Sequence, residues 1–231
     1  MLKIVSFSLT GGDPRLTEGA IENARLILEE WQDWKCVVYT DDVISEHVVS
    51  ELESLNCDVK FIEDNLDWIS ENGSSVKVVQ MPWHAFGFRF WKFLEADSDN
   101  TVICRNVESR VSDRDKSAVE AWLKSDKDFH IIRDHPSHNT PIVAGMWGAR
   151  NGILLNQLKD HMQVWFRNNS RNSEGRVVRQ NFALDDTHFL TQIIYPLVKN
   201  SSCVHDPFFS KNPFPTEAPK RTANNYAGRI I

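Results

Sequence analysis

The chain has no apolar run of membrane-spanning length. Its opening residues, MLKIVSFSLT, lack the positive flank, apolar stretch and small-residue cleavage site of a secretory signal. A protein working in a cytoplasm is therefore expected. Basic charge is also scarce, with 26 Lys and Arg against 32 Asp and Glu and a net charge of -6. Nucleic-acid backbones are bound through clustered Lys and Arg, so a nucleic-acid partner is excluded and any nucleotide bound should be a small one. Cys36, Cys57, Cys104 and Cys203 show no C-x-x-C spacing, and each lies in or beside a short apolar run. They read as buried free thiols in a reducing compartment rather than a zinc site or disulfides. Internal repeats, low-complexity tracts and Pro/Gly/Ser linkers are missing as well. With 231 residues and 41% hydrophobic composition, the chain should bury one core as one domain.

What is there alternates between strand and helix patterns. Leu2 to Leu9 is an apolar run that ends at Gly11, Gly12, Asp13 and Pro14, a strand followed by a loop. Thr17 is placed to cap a helix with Ile21, Ala24, Ile27, Leu28 and Trp31 inward, leading into a strand over Trp34 to Thr40. Val48, Val49, Leu52 and Leu55 repeat the helical spacing before a strand at Val59 to Ile62. Glu63 to Gln80 reads as irregular. Pro82 should open a helix with Phe86, Phe90, Phe93 and Leu94 as its core stripe, ahead of a strand at Thr101 to Cys104. Ser112 or Asp113 caps a helix with Ala118, Val119, Trp122 and Leu123 inward, followed by strand Phe129 to Ile132. A strand over Ile142 to Ala149, a helix over Ile153 to Phe166 and a mobile surface loop at Asn168 to Asn181 come next. A helix from Asp185 through Leu197 and a strand at Cys203 to His205 complete an α/β fold with a mostly parallel central sheet flanked by helices. The main domain spans 1–210, and 211–231 is an irregular C-terminal tail.

Most ionisable clusters fall where strands end, the edge at which open α/β sheets bind ligands. Asn106-x-Glu108 follows one strand, and Arg133, Asp134, His135 and His138 follow another. A strand-end acidic motif suits a divalent cation that neutralises a diphosphate. The same residues also have ordinary structural readings. A solvated Glu after a strand is common, His135 and His138 around Pro136 suit a turn, Trp147 between glycines suits a core, and Asp185 and Asp186 suit helix capping. Arg89 suits an exposed helix face.

The stretches Trp91 to Leu94, Asn106 to Arg110, Ala118 to Trp122, FHIIRDHPSH at Phe129 to His138 and GMWG at Gly145 to Gly148 together resemble viral and bacterial GT-A-type glycosyltransferases of the chlorovirus capsid-glycan kind. Those proteins carry D-x-D-S-R, R-D-H-P-x-H and G-M-W-G. SFSLTGGDPRLTEGAIENA, LDDTHFL and VHD add to the likeness, which covers roughly residues 1 to 210. The resemblance implies a single GT-A-like, nucleotide-diphospho-sugar transferase domain. Such an enzyme would move a hexose or deoxyhexose from a UDP-sugar to a hydroxyl of a glycan or glycoprotein, in the host cytoplasm for a viral protein, with retention of configuration. Ser8, Leu9, Thr10 and Asp41 would line the base, Arg89 would reach the diphosphate, and Trp147 would shape the donor or acceptor pocket. Asn106, Glu108 and His205 would surround Mn2+ or Mg2+, with Glu108 and His205 as the metal ligands. Asp134 and Asp186 would face the sugar, with His135 beside them.

Two positions depart from the pattern. Asn106 stands in place of an aspartate, removing a charge from the metal motif, and Thr187 replaces the glutamine of an Asp-Gln pair. A degenerate domain that binds a nucleotide-sugar or glycan without turnover is therefore a second reading. A sugar nucleotidyltransferase is a third, opposed by the short acidic Gly11 to Arg15 segment.

Overall fold

The structure is a computed structural model that describes residues 1–62, 88–169 and 186–231; the side chains of Arg167 and Asn169 are excepted. Among these residues seven strands form one sheet: β1 (Lys3–Ser8), β2 (Lys35–Thr40), β3 (Asp58–Phe61), β4 (Thr101–Cys104), β5 (Phe129–Ile132), β6 (Trp147–Ala149) and β7 (Ser202–His205). They lie in the order β3-β2-β1-β4-β6-β5-β7. Every pairing is parallel except those of β6, which runs antiparallel between β4 and β5. The mostly parallel α/β sheet expected from the sequence is thus present.

Alternation along each strand divides the core in two. Val5, Phe7, Cys36, Val38 and Ile103 face a layer made by α1 (Pro14–Glu30), α2 (Glu46–Ser54) and α4 (Asp113–Lys124). Ile4, Val37, Tyr39, Val102 and Cys104 face the opposite layer, made by α3 (Phe88–Trp91), α5 (Leu158–Asn169) and α6 (Asp186–Phe189). The second layer holds Trp91 and Trp147, and the first holds Trp122, all fully buried.

Local chemistry sets the helix ends, and several expectations shift. Helix α1 is capped by Asp13, whose side chain accepts from Arg15 N at 3.0 Å, with Pro14 in the first turn. Asp13 with Pro14 is the stronger start signal, so Thr17 lies inside the helix and is not its cap. The buried stripe is Gly19, Ala20, Asn23, Ala24 and Ile27, while Leu28 is turned outward. Ser112 caps α4 as expected, accepting from Asp115 N. The strand expected over Ile142 to Ala149 is confined to Trp147–Ala149. The helix expected from Ile153 begins at Leu158, because Asn151, Gly152 and Asn156 adopt positive φ and form turns. Beyond α6 the chain passes through a wide π turn, Leu190–Ile194, into α7 (Tyr195–Val198). Pro196 has no N–H to give the carbonyl four residues back, which favours the wider turn.

Glu63 to Gln80, Pro82 and Phe86, Asp185 and nearly all of Asn168 to Asn181 lie outside the described residues; Asn168 and Asn169 end α5. Among the described residues, no helix is long and apolar enough to cross a membrane.

Candidate functional site

A cleft of about 320 Å³ opens at the carboxyl ends of β1 and β4. Ser8 and Thr10 of the β1 end, Asn106 and Glu108 beyond β4, Arg89 and Lys92 at α3, and Asp186 and Thr187 at α6 all line it, with Val143 and Ala144. Of the residues expected at the site, the structure brings together Ser8, Thr10, Arg89, Asn106, Glu108 and Asp186.

The loop bearing Asn106 and Glu108 is held by α1 and by the GMWG segment. A Cβ on Gly19 would sit 2.3 Å from Val107 O, so only glycine lets the helix approach this closely. One turn on, the buried Asn23 donates from Nδ2 to Gly19 O and Ser109 O, and its Oδ1 accepts from Val111 N at 3.0 Å. From the other side Gly145 abuts the Asn106 side chain, where a Cβ would lie 2.6 Å from its Cγ. The amide is thereby confined while Glu108 remains exposed. Across the cleft, Lys92 donates its backbone N–H to Ser8 Oγ at 2.8 Å. Its buried ammonium donates to Arg89 O at 2.6 Å and pairs with Asp186 Oδ2 at 3.2 Å. Arg89 is exposed, its guanidinium over the Phe88 ring.

Asp41 is reached through Thr10, whose hydroxyl donates to Asp41 Oδ2 at 2.5 Å. The carboxylate is buried beside the cleft, and among the described residues its Oδ1 has no hydrogen-bond partner. Leu9 is a core residue, 1% exposed, and contributes only its backbone N–H to Tyr39 O.

Four expected site residues lie elsewhere. Trp147 is fully buried, stacked on Phe129 at 5.3 Å and 13°, so it fills the core and does not line the cleft. Asp134 is fully buried and takes a fork from Arg114 Nε and Nη2 at 2.5 and 2.8 Å, plus Ala227 N at 2.9 Å. Its carboxylate holds the C-terminal tail and does not line the cleft. His135 closes a turn with Ser137 and stacks on Tyr226 of that tail at 4.7 Å. His205 ends β7 with Nδ1 2.9 Å from His130 Nε2 and its ring against Phe214. Burial, with the nearby Arg114 guanidinium, lowers its pKa to about 4.

The tail is irregular but closely applied to the sheet edge. Arg114 Nη1 donates to Pro219 O, Arg221 Nε to Asp134 O and Ser109 Oγ to Gly228 O. Ile231 N then donates to Glu108 O at 3.1 Å. This strap ties the Arg133 to His138 segment to the rim of the cleft.

The donor set fits a divalent cation only in part. Asn106 and Glu108 offer oxygens of the type hard cations take, while His205, expected beside them, lies off the cleft against His130 and Phe214. Among the described residues, no group of three His, Cys, Asp or Glu is arranged to hold a metal. Further oxygens would have to come from a ligand. The formal charges of Arg89, Lys92, Glu108 and Asp186 cancel, so a bound diphosphate would add uncompensated negative charge.

Sequence reasoning missed Lys92 and the buried pairs Arg114–Asp134 and Arg105–Asp115. The signal for the pairs was present: Arg114 and Asp115 stand one helical turn before the inward Ala118 and Val119.

No family model matches the sequence, and no curated protein matches it. Among solved structures, mouse xyloside xylosyltransferase 1 in its apo form is similar at a TM-score of 0.49 and 12% identity, over 89% of this chain and 85% of that one. The galactosyltransferase LgtC in complex with donor and acceptor sugar analogues is similar at 0.48 and 12% identity, over 89% and 74%.

Proposed function

We propose that the chain is a GT-A-type glycosyltransferase that moves a hexose or deoxyhexose from a UDP-sugar to a hydroxyl of a glycan or glycoprotein. The observation that carries this reading is one cleft at the carboxyl ends of β1 and β4 that collects Asn106, Glu108, Arg89, Lys92 and Asp186. The motif resemblance supports it from the sequence side. In the reaction the bond from the anomeric carbon to the diphosphate oxygen breaks, and the acceptor oxygen bonds to that carbon and loses its proton.

Each residue has a physical role in that reading. Asp41 Oδ1, beside Thr10, is an acceptor without a partner among the described residues, suited to a base N–H. Arg89 and Lys92 present N–H donors to the diphosphate. Asp186, ion-paired to Lys92, offers a carboxylate to the sugar side, and retention of configuration is taken from the motif resemblance. Asn106 and Glu108 would hold Mn2+ or Mg2+ together with diphosphate oxygens, and the ion would supply charge neutralisation at the leaving group.

The neutral Asn106 and the tied Asp186 favour one rival, a domain that binds the donor without turnover. A nucleotidyltransferase is disfavoured, because the N-terminus of α1 is closed by Asp13 and by Arg15 on Asp13, leaving no phosphate loop there. Thermal shift with nucleoside diphosphates and sugar nucleotides, with and without manganese, tests the donor class, since a ligand of the folded state raises the melting temperature. UDP-sugars should give the largest shift, and release of UDP should mark turnover. Absence of any nucleotide-dependent shift removes the proposal, and a shift without UDP release leaves the binding domain.

A further inference from the structure

Two thiols at the opposite end of the sheet from the cleft form a pair. The parallel ladder sets Val37 of β2 against Asp58 of β3, so the preceding step of the same register sets Cys36 against Cys57. Paired strands run about 4.8 Å apart, and disulfides span Cα separations of about 4.4–6.8 Å. Both side chains belong to the same apolar layer and are 3% and 6% exposed. A cavity of about 40 Å³ touches Cys36 between Leu28, Gln32, Leu55 and Asn56. A water needs only about 10–15 Å³ by a comparable measure, so a solute little larger than water fits and a tripeptide does not.

We propose that Cys36 and Cys57 are a peroxide-responsive dithiol whose oxidation staples β2 to β3. The sulfur of one cysteine attacks a peroxide oxygen, the O–O bond breaks and hydroxide leaves, giving a sulfenic acid. The second sulfur then displaces that oxygen as water. Two thiols and one hydrogen peroxide thus give one disulfide and two waters, the sulfurs losing the two electrons that the O–O bond gains. The neighbouring Cys57 thiol and burial push the Cys36 thiol well above its usual pKa, so the reaction is slow at neutral pH and quickens in alkali. Cys104, fully buried with no thiol partner, and Cys203, half-buried on β7, are internal controls.

The test treats the native protein with hydrogen peroxide, alkylates remaining thiols in denaturant and maps peptides by mass spectrometry. A linked peptide joining Cys36 to Cys57, two hydrogens lighter, should accumulate faster as pH rises, with Cys104 still alkylated. Oxidised glutathione should leave both thiols free. In Cys57→Ser, Cys36 should halt at a sulfenic acid that dimedone, added with the denaturant, traps. Cys36 and Cys57 fully alkylated after peroxide while Cys203 is oxidised would overturn the proposal, as would a glutathione adduct on either thiol of the pair. The wild-type map decides the matter even if the variant fails to fold.

Discussion

Replacing Asp134 separates two roles for the buried carboxylate of the RDHPSH segment. The side chain is fully buried and receives charged hydrogen bonds from Arg114 Nε and Nη2 and one from Ala227 N. Asp134→Asn keeps the shape and removes the charge, so the Arg114 guanidinium, 6% exposed, stays buried without its counter-ion. Breaking such a pair from one side costs about 3–5 kcal/mol. For a chain of this size each kcal/mol lowers Tm by ~2–4 °C, so a fall of roughly 6–20 °C is expected by calorimetry. Arg114→Met combined with Asp134→Leu should recover much of that loss, because no buried guanidinium is then left without its counter-ion, Arg221 at 4.0 Å being partly exposed. Nucleotide binding in Asp134→Asn, measured below its melting range, should stay within a few-fold of wild type. A variant as stable as wild type but devoid of transfer would refute the anchoring argument and return Asp134 to the sugar's side.

Glu108→Gln removes an exposed carboxylate and should leave stability within about 0.5 kcal/mol of wild type. By titration calorimetry it should weaken UDP binding in manganese, without change in a chelator; equal weakening in both would displace the cation from Glu108. His138 and His205 are held at about 4, chiefly by burial, against a usual 6.5. Between those values the unfolded chain binds more protons, so the histidines' contribution to stability should be full above 6.5, fall as pH drops from 6.5 towards 4, and level off below. Each histidine contributes a slope of up to ~1.4 kcal/mol per pH unit. Urea midpoints at neutral and mildly acid pH check this, and a flat profile would mean that both rings charge without loss of packing.

The fold was legible because β1, β2 and β4 carry apolar side chains on both faces and helical spacing separates them. That is the pattern of parallel strands covered on two sides. Less was legible wherever turn geometry overrides composition. Ile142 to Met146 is as apolar as a strand, yet only Trp147–Ala149 pairs. Asn151 and Asn156 occupy left-handed positions that the sequence does not announce, since asparagine takes either conformation. The C-terminal tail has no periodicity to read, and its contacts are mostly backbone carbonyls and N–H groups, which every sequence supplies.

The candidate site divides along the same line. Ser8 and Thr10 at the end of β1 and Asn106 and Glu108 beyond β4 line the cleft, because strand order fixes where those ends emerge. Asp134, His135 and His205, at the ends of β5 and β7, do not line it. The two strands lie beyond β6 at the far edge of the sheet, and the tail packs over their ends through Arg114, Arg221, Phe214 and Tyr226. Adjacency to a strand's carboxyl end is therefore insufficient to place a residue in the cleft; the end must also lie near β1 and β4. GMWG shows how a motif can matter for a residue other than its conspicuous one. Its tryptophan is core, while Gly145 is the position that presses on Asn106 and Gly148 the one that lets β6 approach Val102 O and Trp122. The glycines, not the indole, connect that motif to the site, because the space a missing Cβ leaves is what brings β6 and its preceding turn against β4.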